Sequence, residues 1–544
     1  MTKRFNREHS LEEIKANPNF DIVVIGGGAT GLGVAVDAAS RGYRTLLLEQ
    51  ADFAKGTSSR STKLVHGGVR YLAQGDVRLV FEALHERGLL LANAPHLVRS
   101  QPFVIPSYRR WDSFLYGLGL KIYDWMAGRY RFGKTELLGA ERVAELLPNV
   151  EKRGLRGGIL YYDGQFDDAR LAVNLAQTCT EAGGVVMNYA RVTGVIKDAG
   201  GKVNGVTAVD LESGAELNVN ARSVVNATGV FVDDILRMDQ SNGRPMVRPS
   251  QGVHIVLSRD FHKGDSALMI PSTDDGRVLF AVPWHGHLLV GTTDTPLDQH
   301  SLEPIALEQE VDFILDTLRR YLVNKPERSD VLSIFAGLRP LAHNGNGQGK
   351  TKEISRSHKL VVSSSGLVTI TGGKWTTYRK MAQDTVDQAV RSAGLPFQPC
   401  RTASLKIHGY LQKAPVEKQF AIYGSDAGAI AVLAQQYPEL AEPLHPDFPH
   451  VAAEVVWAVR HEMARTVEDV LARRLRVLFL NARAAIEMAP IVAKWMAKEL
   501  QRDTSWIQRQ VELFTALAHN YLPEADLSED TAPAKQKTGA AIRS

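Results

Sequence analysis

A glycine-rich turn near the start of this sequence constrains its fold more than any other feature. Residues 21–25 are an apolar run of strand type, and Gly26, Gly28 and Gly31 directly after them fit the pattern G-x-G-x-x-G. A stretch rich in alanine and valine follows, and a second apolar run ends at Glu49. This order of strand, glycines, helix, strand and acid is typical of a Rossmann unit, so the sequence predicts an α/β fold that binds a dinucleotide.

Each residue of the pattern has a physical role. Gly26 allows a tight turn, Gly28 lets the backbone approach a pyrophosphate, and Gly31 lets the helix pack closely against the strand. The free N–H groups at the start of the helix, together with its dipole, favour the phosphates. Glu49 follows at a distance from which a carboxylate reaches a ribose hydroxyl.

Composition places the chain among globular proteins and excludes some partners. Its 544 residues are 44% hydrophobic and 23% charged, and a net charge of +4 is too small for nucleic acid to be a general partner. With only Cys179 and Cys400, disulfides are not expected to build the fold, and a reducing compartment is favoured. The start of the chain does not resemble a leader peptide, and no apolar run approaches about 18 residues. The sequence therefore predicts a protein that is cytosolic or lies on a membrane without crossing it.

Hydrophobic periodicity indicates a discontinuous arrangement of elements. Short strands separated by Gly, Asn and Asp turns are predicted over 183–229, and a hairpin is predicted to turn at 285–287. Helices are predicted at about 78–100, 113–128 and 305–322, and again over much of the chain beyond residue 400. The second of these helices is more apolar than a solvated helix should be.

Later glycines favour FAD over NAD as the dinucleotide. The sequence has one complete dinucleotide pattern, whereas reductases that use both a nicotinamide and a flavin often carry two. Gly229 ends an apolar run that would press close to a cofactor, and Gly372 and Gly373 precede a helix whose dipole would stabilise a reduced ring. The segment "NGNGQGKT" (344–351) nearly fits a phosphate-binding loop. Asparagine replaces its first glycine and no strand precedes it, so we interpret it as a surface loop.

Several longer motifs follow one another along the chain. They are "IGGGATGLGVAVDAASRG", "TSSRSTKLVHGGVRYL", "DDARL", "VNATG", "VGTTD", "GLRPL" and "GGKWTTYRKMA". In this order, over roughly residues 18–390, the chain resembles the FAD-dependent glycerol-3-phosphate dehydrogenases of the aerobic, bacterial type. The resemblance implies an α/β fold with a glutathione-reductase-like FAD-binding Rossmann domain, an antiparallel-sheet substrate domain and a C-terminal helical cap domain.

The resemblance also gives expected domain boundaries. The discontinuous FAD-binding domain is expected at 18–100, 150–250 and 335–395, and the substrate-binding domain at 101–149 and 251–334. The C-terminal helical domain is expected at 396–530, and the composition of 531–544 predicts a disordered tail.

The activity that the resemblance implies is oxidation of sn-glycerol 3-phosphate to dihydroxyacetone phosphate by hydride transfer to FAD, with electrons passed to a membrane quinone. It implies a cytoplasmic enzyme held peripherally on the inner face of the cell membrane. The residue patterns of 114–128 and 473–500 offer two candidate membrane segments, but core packing explains the first equally well and the second better. The alternatives are an oxidase that uses oxygen, an amine or amino-acid oxidase on a related fold, and a flavin-binding regulator without catalysis. The oligomeric state is open, with a homodimer as one candidate, and no metal site is expected.

The residues expected to bind substrate are cations and polar groups suited to a phosphorylated polyol. At positions that match the family, they are Arg70, Tyr71, His254, Arg339, Arg356 and Lys374. His254 is the candidate general base because a histidine has a near-neutral pKa, and Arg339 is expected to stabilise the developing alkoxide. Val253 precedes His254 where relatives often carry serine, which weakens the case for a local hydroxyl that assists the base.

The residues expected to hold FAD are spread over the chain. In addition to Gly26, Gly28, Gly31 and Glu49, they are Thr57, Ser58, Ser59, Ser61, His66, Val192, Gly229, Gly372, Gly373 and Lys374. The hydroxyl-rich loop offers donors to the pyrophosphate, and Val192 matches a place where backbone atoms contact adenine. His66 is expected near the flavin, without a covalent link to it.

Overall fold

The computed structural model describes residues 5–68, 76–240, 242, 245–274, 276–342 and 358–523. Helices α1 to α14 of these ranges are, in order, Arg7–Ala16, Ala29–Ser40, Val77–Asn93, Arg110–Ala127, Ala140–Leu146, Asp168–Glu181, Val232–Asp239, Glu308–Tyr321, Tyr378–Ala393, Ala427–Gln436, Ala452–His461, Val477–Leu480, Ala482–Leu500 and Thr504–His519. Strands β1 to β18 are Asn19–Ile25, Thr45–Leu48, Leu64–Val65, Val98–Ser107, Glu136–Gly139, Gly157–Phe166, Val185–Met187, Ala190–Lys197, Val203–Asp210, Glu216–Asn226, Val247–Ser258, Ala267–Ile270, Leu279–Trp284, His287–Gly291, Thr295–Pro296, Val331–Ala342, Lys359–Val362 and Val368–Thr371.

The first sheet is the Rossmann sheet that the glycine pattern predicts. Its strand order is β17-β18-β10-β1-β2-β7, in which the five strands from β18 to β7 are parallel, and β9 and β8 extend it from β10 as antiparallel strands. Both faces are covered, as in most parallel sheets. Ile22 and Val24 of β1 pack with α2 and α9 on one face, while Val23 and Ile25 pack with α1 and β9 on the other.

The second sheet is mostly antiparallel, as expected of the substrate domain. Its order is β15-β11-β14-β13-β12-β4-β6-β3, with β16 paired to β11 and β5 paired to β6, and the one parallel contact along this path is between β12 and β4. Apolar residues of α5 and α8 cover one face of this sheet, among them Val143 and Leu315. The long pairing of β11 with β16 brings two chain segments about 80 residues apart side by side, from Val247 opposite Ala342 to Leu257 opposite Val331.

The C-terminal helices form a separate core against the other face of the second sheet. This core contains residues of α10 to α14 together with Val256, Trp284, Leu289 and Phe335 of the sheet. A π-helical turn, Asp469–Arg474, joins the core to the rest of the chain through buried ion pairs. The predicted C-terminal helical domain is therefore confirmed as a helical layer.

Several local predictions need correction or confirmation. The helix predicted at 78–100 ends at Asn93, because Pro95 disfavours a helical conformation at the residue before it, and the chain continues as β4. The predicted hairpin is confirmed, since β13 and β14 are joined by His285 and Gly286, both with positive φ.

The sheets also differ from the expected domain boundaries at several places, two of which involve long strands. The predicted FAD-binding segment 150–250 contains β6, which pairs with β4 along ten residues of the second sheet. The predicted boundary at residue 335 falls inside β16, whose whole length pairs with β11. Long-range strand pairing, which leaves no local mark in a sequence, accounts for both differences.

Candidate functional site

A cavity of about 530 Å³ lies where the two sheets meet. Three parallel strands of the first sheet point their carboxyl ends at it, and the residues just beyond those ends, Gly26, Glu49 and Ala227, line it. His254 of β11 and Arg339 of β16 line it from the second sheet. Ligands of α/β sheets bind at the carboxyl ends of the strands, so this is the candidate active site.

The glycine turn leaves space that side chains would fill. Gly26 has a φ of +107°, and a Cβ there would lie 2.8 Å from the carbonyl oxygen of Ala227. A Cβ at Gly31 would collide with the carbonyl oxygen of Gly26, which confirms that α2 packs directly on the turn. A Cβ at Gly28 would come within 3.0 Å of Ser58 Oγ, in the cavity wall. The cradle fits the pyrophosphate of a dinucleotide.

Glu49 is held in place by the backbone around it. Its carboxylate accepts hydrogen bonds from the N–H groups of Gly27, at 2.5 Å, and Ala51, at 2.9 Å. Burial raises the pKa of this carboxyl, and the two N–H donors oppose that rise. The side chain lines the cavity at the end of β2, where the ribose of a dinucleotide is expected.

The hydroxyl-rich loop contributes less to the cavity than expected. Thr57 Oγ1 donates to the carbonyl oxygen of Leu338 at 2.5 Å, and Ser61 Oγ donates to Asp168 at 2.7 Å, although both residues line the cavity. Ser59 is buried outside the lining and donates to the carbonyl oxygen of Ala54. Ser58 Oγ accepts from the N–H of Ala29, the first residue of α2. Ser58 is thus the hydroxyl of this loop that touches the glycine cradle.

The remaining predicted cofactor residues line the same cavity. They are His66, Val192, Gly229, Gly372, Gly373 and Lys374. The three glycines have positive φ angles of 63°, 79° and 74°, conformations that glycine adopts without strain. The indole Nε1 of Trp375, next to Lys374, donates to the carbonyl oxygen of Ser58 at 2.9 Å and ties this loop to the hydroxyl-rich loop.

His254 is deeply buried in the sheet yet reaches the cavity. It is 2% exposed, its ring stacks on Phe335 with centroids 4.9 Å apart, and its Nε2 lies 2.9 Å from Thr62 Oγ1. Burial, and then the positive charges of Lys63 and Arg339, lower the pKa of His254 well below its ordinary value. The imidazole is therefore neutral near neutral pH and able to accept a proton.

Arg339 is fixed by hydrogen bonds on both arms of its guanidinium. Nη1 donates to the carbonyl oxygen of Gln251 and to Asp294, each at 3.2 Å, and Nη2 donates to Thr292 Oγ1 at 3.1 Å. A side chain at Gly252 would collide with this guanidinium, so the glycine makes room for it. The arrangement presents a fixed positive charge to the cavity.

Three predicted substrate residues and one predicted loop lie outside the described residues. They are Arg70, Tyr71 and Arg356, and the loop 344–351. Their expected roles stay predictions.

Sequence reasoning missed five residues that support the site. They are Thr62, Lys63, Asp168, Gly252 and Asp294. Thr62 and Lys63 lie inside the quoted motif "TSSRSTKLVHGG", but no local pattern pairs Thr62 with a histidine 192 positions away. The sequence shows Thr62 and Lys63 beside the serines that were predicted to hold FAD, but it does not indicate which groups Thr62 and Lys63 contact.

Comparison with known proteins places the chain in a family. Residues 21–379 match the model of the FAD dependent oxidoreductases, and residues 364–506 match that of the C-terminal domain of alpha-glycerophosphate oxidase. The mitochondrial glycerol-3-phosphate dehydrogenase of Mus musculus is 41% identical over 95% of this chain and 75% of its own length.

Solved structures agree with the sequence comparison. The glycerol-3-phosphate dehydrogenase of Bacillus halodurans, solved in complex with FAD, is 30% identical with a TM-score of 0.78, covering 96% of this chain and 98% of its own. The L-alpha-glycerophosphate oxidase of Mycoplasma pneumoniae is 16% identical with a TM-score of 0.54, covering 71% of this chain and 98% of its own, and shares the fold. The chain therefore belongs to the FAD-dependent oxidoreductases and, within them, to the glycerol-3-phosphate dehydrogenase family.

Proposed function

We propose that this protein oxidises sn-glycerol 3-phosphate to dihydroxyacetone phosphate in the cavity where the two sheets meet, and that the electrons pass through FAD to a membrane quinone. The observation that carries the proposal is that a neutral histidine, His254, and a fixed guanidinium, Arg339, share one cavity with the glycine cradle. The mouse and Bacillus halodurans relatives are both named glycerol-3-phosphate dehydrogenases.

The residues of this chain fit FAD. The cradle at Gly26 and Gly28 suits the pyrophosphate, Glu49 suits the ribose, and Gly372 and Gly373 line the same cavity. Bound there, FAD supplies the hydride acceptor for the substrate carbon. The protein then has to bind the phosphate, orient the alcohol and take its proton.

Two cations of the lining have distinct proposed roles. Lys374, at the start of the segment that leads into α9, is proposed to bind the phosphate dianion as a point charge. Arg339 is proposed to face the C2 oxygen, because its guanidinium is fixed before substrate arrives and lies beside Gly252 and the base-carrying strand β11. A fixed donor stabilises the developing alkoxide without having to reorganise during the reaction.

His254 is proposed as the group that finally holds the substrate proton. Its lowered pKa keeps the imidazole unprotonated and ready at neutral pH. The same burial and positive charges make the protonated ring costly, so the proton is expected to leave again soon after the alcohol is oxidised.

Among the described helices, none is both long enough and apolar enough to cross a membrane.

We propose that α4 makes the membrane contact and that the enzyme lies on the inner face of the cell membrane. One side of α4 exposes Leu118, Ile122 and Trp125, which are 53%, 44% and 81% exposed and follow one another at helical spacing. Exposed Lys121 and Arg129 accompany them. An exposed apolar stripe with basic residues fits the interface of an anionic bilayer.

The second segment that the sequence offered, 473–500, lies in the protein core instead. Arg473 and Arg474 are buried in ion pairs with Asp52, and Phe479, Met488 and further apolar residues of α12 and α13 belong to the C-terminal core. Residues already buried in the core have no apolar surface left to insert into lipid.

The first experiment is anaerobic reduction of the bound flavin. Purified protein with FAD is mixed with sn-glycerol 3-phosphate, and the absorbance of oxidised flavin is followed at about 450 nm, a wavelength that depends on the cofactor. Rapid bleaching supports the proposed oxidation. A flavin that stays oxidised, or that is bleached by amines or amino acids instead, would contradict it.

The electron acceptor needs a second experiment. Turnover under air, with and without a short-chain quinone in lipid vesicles, is followed by quinone reduction and by hydrogen peroxide production. Quinone-dependent turnover with little peroxide supports the proposed acceptor. Full turnover with stoichiometric peroxide and no effect of quinone would instead identify an oxidase.

A further inference from the structure

We propose that Thr62 is a further catalytic residue of this oxidation, and that its hydroxyl passes the proton of the substrate alcohol to His254. The proposal rests on the proposed function and deepens it by naming the path of the proton. Its basis is the arrangement of groups around the His254 ring, which leaves one nitrogen sealed and places a hydroxyl on the other.

The two nitrogens of His254 have different surroundings. Nδ1 exposes less than 1 Å² and has no hydrogen-bond partner among the described residues. Nε2 lies 2.9 Å from Thr62 Oγ1. The ring is also closed in by Phe335 stacked on it and by the backbone at Gly291, where a Cβ would collide with the ring. Thr62 and His254 both line the cavity, so the proposed path of the substrate proton enters the ring at Nε2, through the hydroxyl of Thr62.

The side chains of the residues on both sides of Thr62 donate hydrogen bonds to one carboxylate, that of Asp168. Ser61 Oγ donates to Asp168 Oδ2 at 2.7 Å, and Lys63 Nζ donates to the same oxygen at 2.8 Å. The other oxygen of Asp168 accepts from Arg476 Nη2 at 2.8 Å. The residues before and after Thr62 are thus tied to a buried anchor, and the hydroxyl between them is fixed relative to His254. A group that transfers protons needs this kind of prior alignment.

The chemistry of a hydroxyl suits the relay. A threonine hydroxyl donates one hydrogen bond and accepts two, so Thr62 can donate to Nε2 and accept from the substrate at the same time. In both tautomers of His254, Nδ1 has no partner among the described residues. The direction of the hydrogen bond between Nε2 and Thr62 is therefore what distinguishes the two tautomers. When Thr62 donates, the proton of the neutral ring lies on Nδ1 and Nε2 is free to accept.

The relay balances protons and electrons. The O–H bond of the substrate alcohol breaks and its proton moves to Thr62 Oγ1, while the Thr62 proton moves to His254 Nε2. The C–H bond on the same carbon breaks with its electron pair, which leaves as hydride to the bound flavin, and a C=O bond forms. Substrate loses two electrons and two hydrogens, Thr62 is unchanged, and His254 becomes an imidazolium near Lys63 and Arg339.

The first test compares Thr62→Val with Thr62→Ser in the FAD-loaded enzyme. Valine has nearly the same shape but no hydroxyl, and it leaves no room for a water to replace one, whereas serine keeps the hydroxyl. The rate of anaerobic flavin reduction by sn-glycerol 3-phosphate should fall by about 100-fold or more in Thr62→Val and stay within about fivefold in Thr62→Ser. The KM should change little in both variants. Near-normal reduction by Thr62→Val would overturn the relay.

A proton inventory separates a relay from mere positioning of the histidine. In mixtures of H₂O and D₂O, two protons in flight make the flavin-reduction rate of the unaltered enzyme curve with deuterium content. A straight line would mean that one proton moves and would overturn the proposal. This measurement needs no variant, so it remains decisive even where Thr62→Val fails to bind FAD.

The tautomer of His254 provides a readout apart from activity. In the substrate-free enzyme, ¹⁵N NMR of labelled histidine should show the ring proton on Nδ1, and Thr62→Val should shift the population toward the other tautomer. A ring proton on Nε2 in the unaltered enzyme would overturn the proposal. If sn-glycerol 3-phosphate never bleaches the flavin of the unaltered enzyme, that result would instead contradict the proposed function itself.

Discussion

Lys63 donates a hydrogen bond to Asp168 over 2.8 Å, and neither side chain is exposed to solvent. Burial lowers the pKa of the Lys63 ammonium to about 7, although the charge of Asp168 opposes this effect. Lys63 Nζ also lies 5.2 Å from the ring centroid of Phe335, and Phe335 stacks on His254. A buried cation therefore stands one ring away from the proposed base.

Replacing Lys63 by methionine should raise the pKa of His254 toward its ordinary value. The charge of Lys63 is one cause of the lowered pKa, but burial is the larger cause and persists, so the rise should be partial. NMR titration of the His254 ring in the FAD-loaded enzyme checks this. Lys55→Met is the control, because Lys55 pairs with Glu468 and is not among the charges that act on His254. An unchanged or lower pKa in Lys63→Met would refute the electrostatic link.

Asp294→Asn should weaken the hold on Arg339 without removing its charge. Asp294 accepts from Arg339 Nη1 and from Ser250 Oγ, and the amide would offer a weaker acceptor. Steady-state kinetics should show kcat/KM for sn-glycerol 3-phosphate reduced by about 10-fold, against about 100-fold or more for Arg339→Met.

Asp298→Asn is the matched control for this variant. Asp298 also faces an arginine, Arg248, at 4.0 Å, but its side chain is 96% exposed. Exposed pairs contribute little, so kcat/KM should stay within about twofold. An equal loss in both variants would mean that the effect of Asp294 is not specific to Arg339.

Gly31→Ala should prevent FAD binding. The added methyl would collide with the carbonyl oxygen of Gly26, which is backbone and cannot move aside without opening the cradle. FAD content after purification and the thermal unfolding midpoint report the effect. Gly428→Ala is the control, since that exposed glycine in α10 has no atom within 4 Å of a Cβ, and alanine should stabilise the helix by up to about 1 kcal/mol. Normal FAD content in Gly31→Ala would show that the turn adapts.

His408 should make part of the stability depend on pH. Hydrogen bonds to Asp426, at 2.8 Å, and Glu181, at 2.6 Å, raise the pKa of His408 to about 9 despite the opposing effect of burial, which is the largest single influence. Because the folded pKa is above the unfolded value of 6.5, the stabilisation is complete below about pH 6.5 and is lost as pH rises through about 9.

The test is chemical unfolding of the unaltered protein and of His408→Gln between pH 6 and pH 10. At the acidic end the unaltered protein should be more stable by up to about 3 kcal/mol, from roughly 1.4 kcal/mol for each unit of pKa shift. The difference should shrink as the solution becomes alkaline. A difference that stays constant over this range, or that grows with pH, would contradict the assignment.

Leu118→Ser with Trp125→Ser should reduce binding to vesicles that contain anionic lipid by about 10-fold or more, because both exposed side chains would insert into the interface. Flotation of the protein with vesicles measures this, and anaerobic flavin reduction in solution should be unaffected. Leu513→Ser on α14 is the control, since Leu513 is 60% exposed but lies away from α4 in the chain. Equal losses in the control would mean that exposed apolar residues bind lipid without regard to position.

Much of the fold follows from local patterns. The glycine turn, the helix α2 after it and the strand β2 just before Glu49 were predictable, because each depends on residues within about one helix or strand length. The hairpin at His285 and Gly286 was predictable for the same reason. The end of α3 at Asn93 could also have been predicted from Pro95, although the predicted helix extended beyond it.

The site was predictable in part. Sequence reasoning named His254, Arg339, Glu49 and Lys374, and the structure brings all four to one cavity. It placed Ser59 among the cofactor contacts, whereas the hydroxyl of this residue bonds to the backbone of its own loop. Hydroxyls of a polar loop have many candidate partners, and only distances in the folded chain decide among them.

By itself, the sequence determined a Rossmann unit and favoured a flavin as the dinucleotide, because these rest on residue types at short and regular spacing. The cations expected around His254 came from the resemblance of longer motifs to those of a known family. The tertiary structure decided that β6 belongs to the second sheet, that 473–500 is core, and that Thr62 lies 2.9 Å from His254. Each of these is a contact between groups far apart in the chain. Such contacts depend on how whole sheets and helices pack, and a local pattern of residues does not show which distant residues meet.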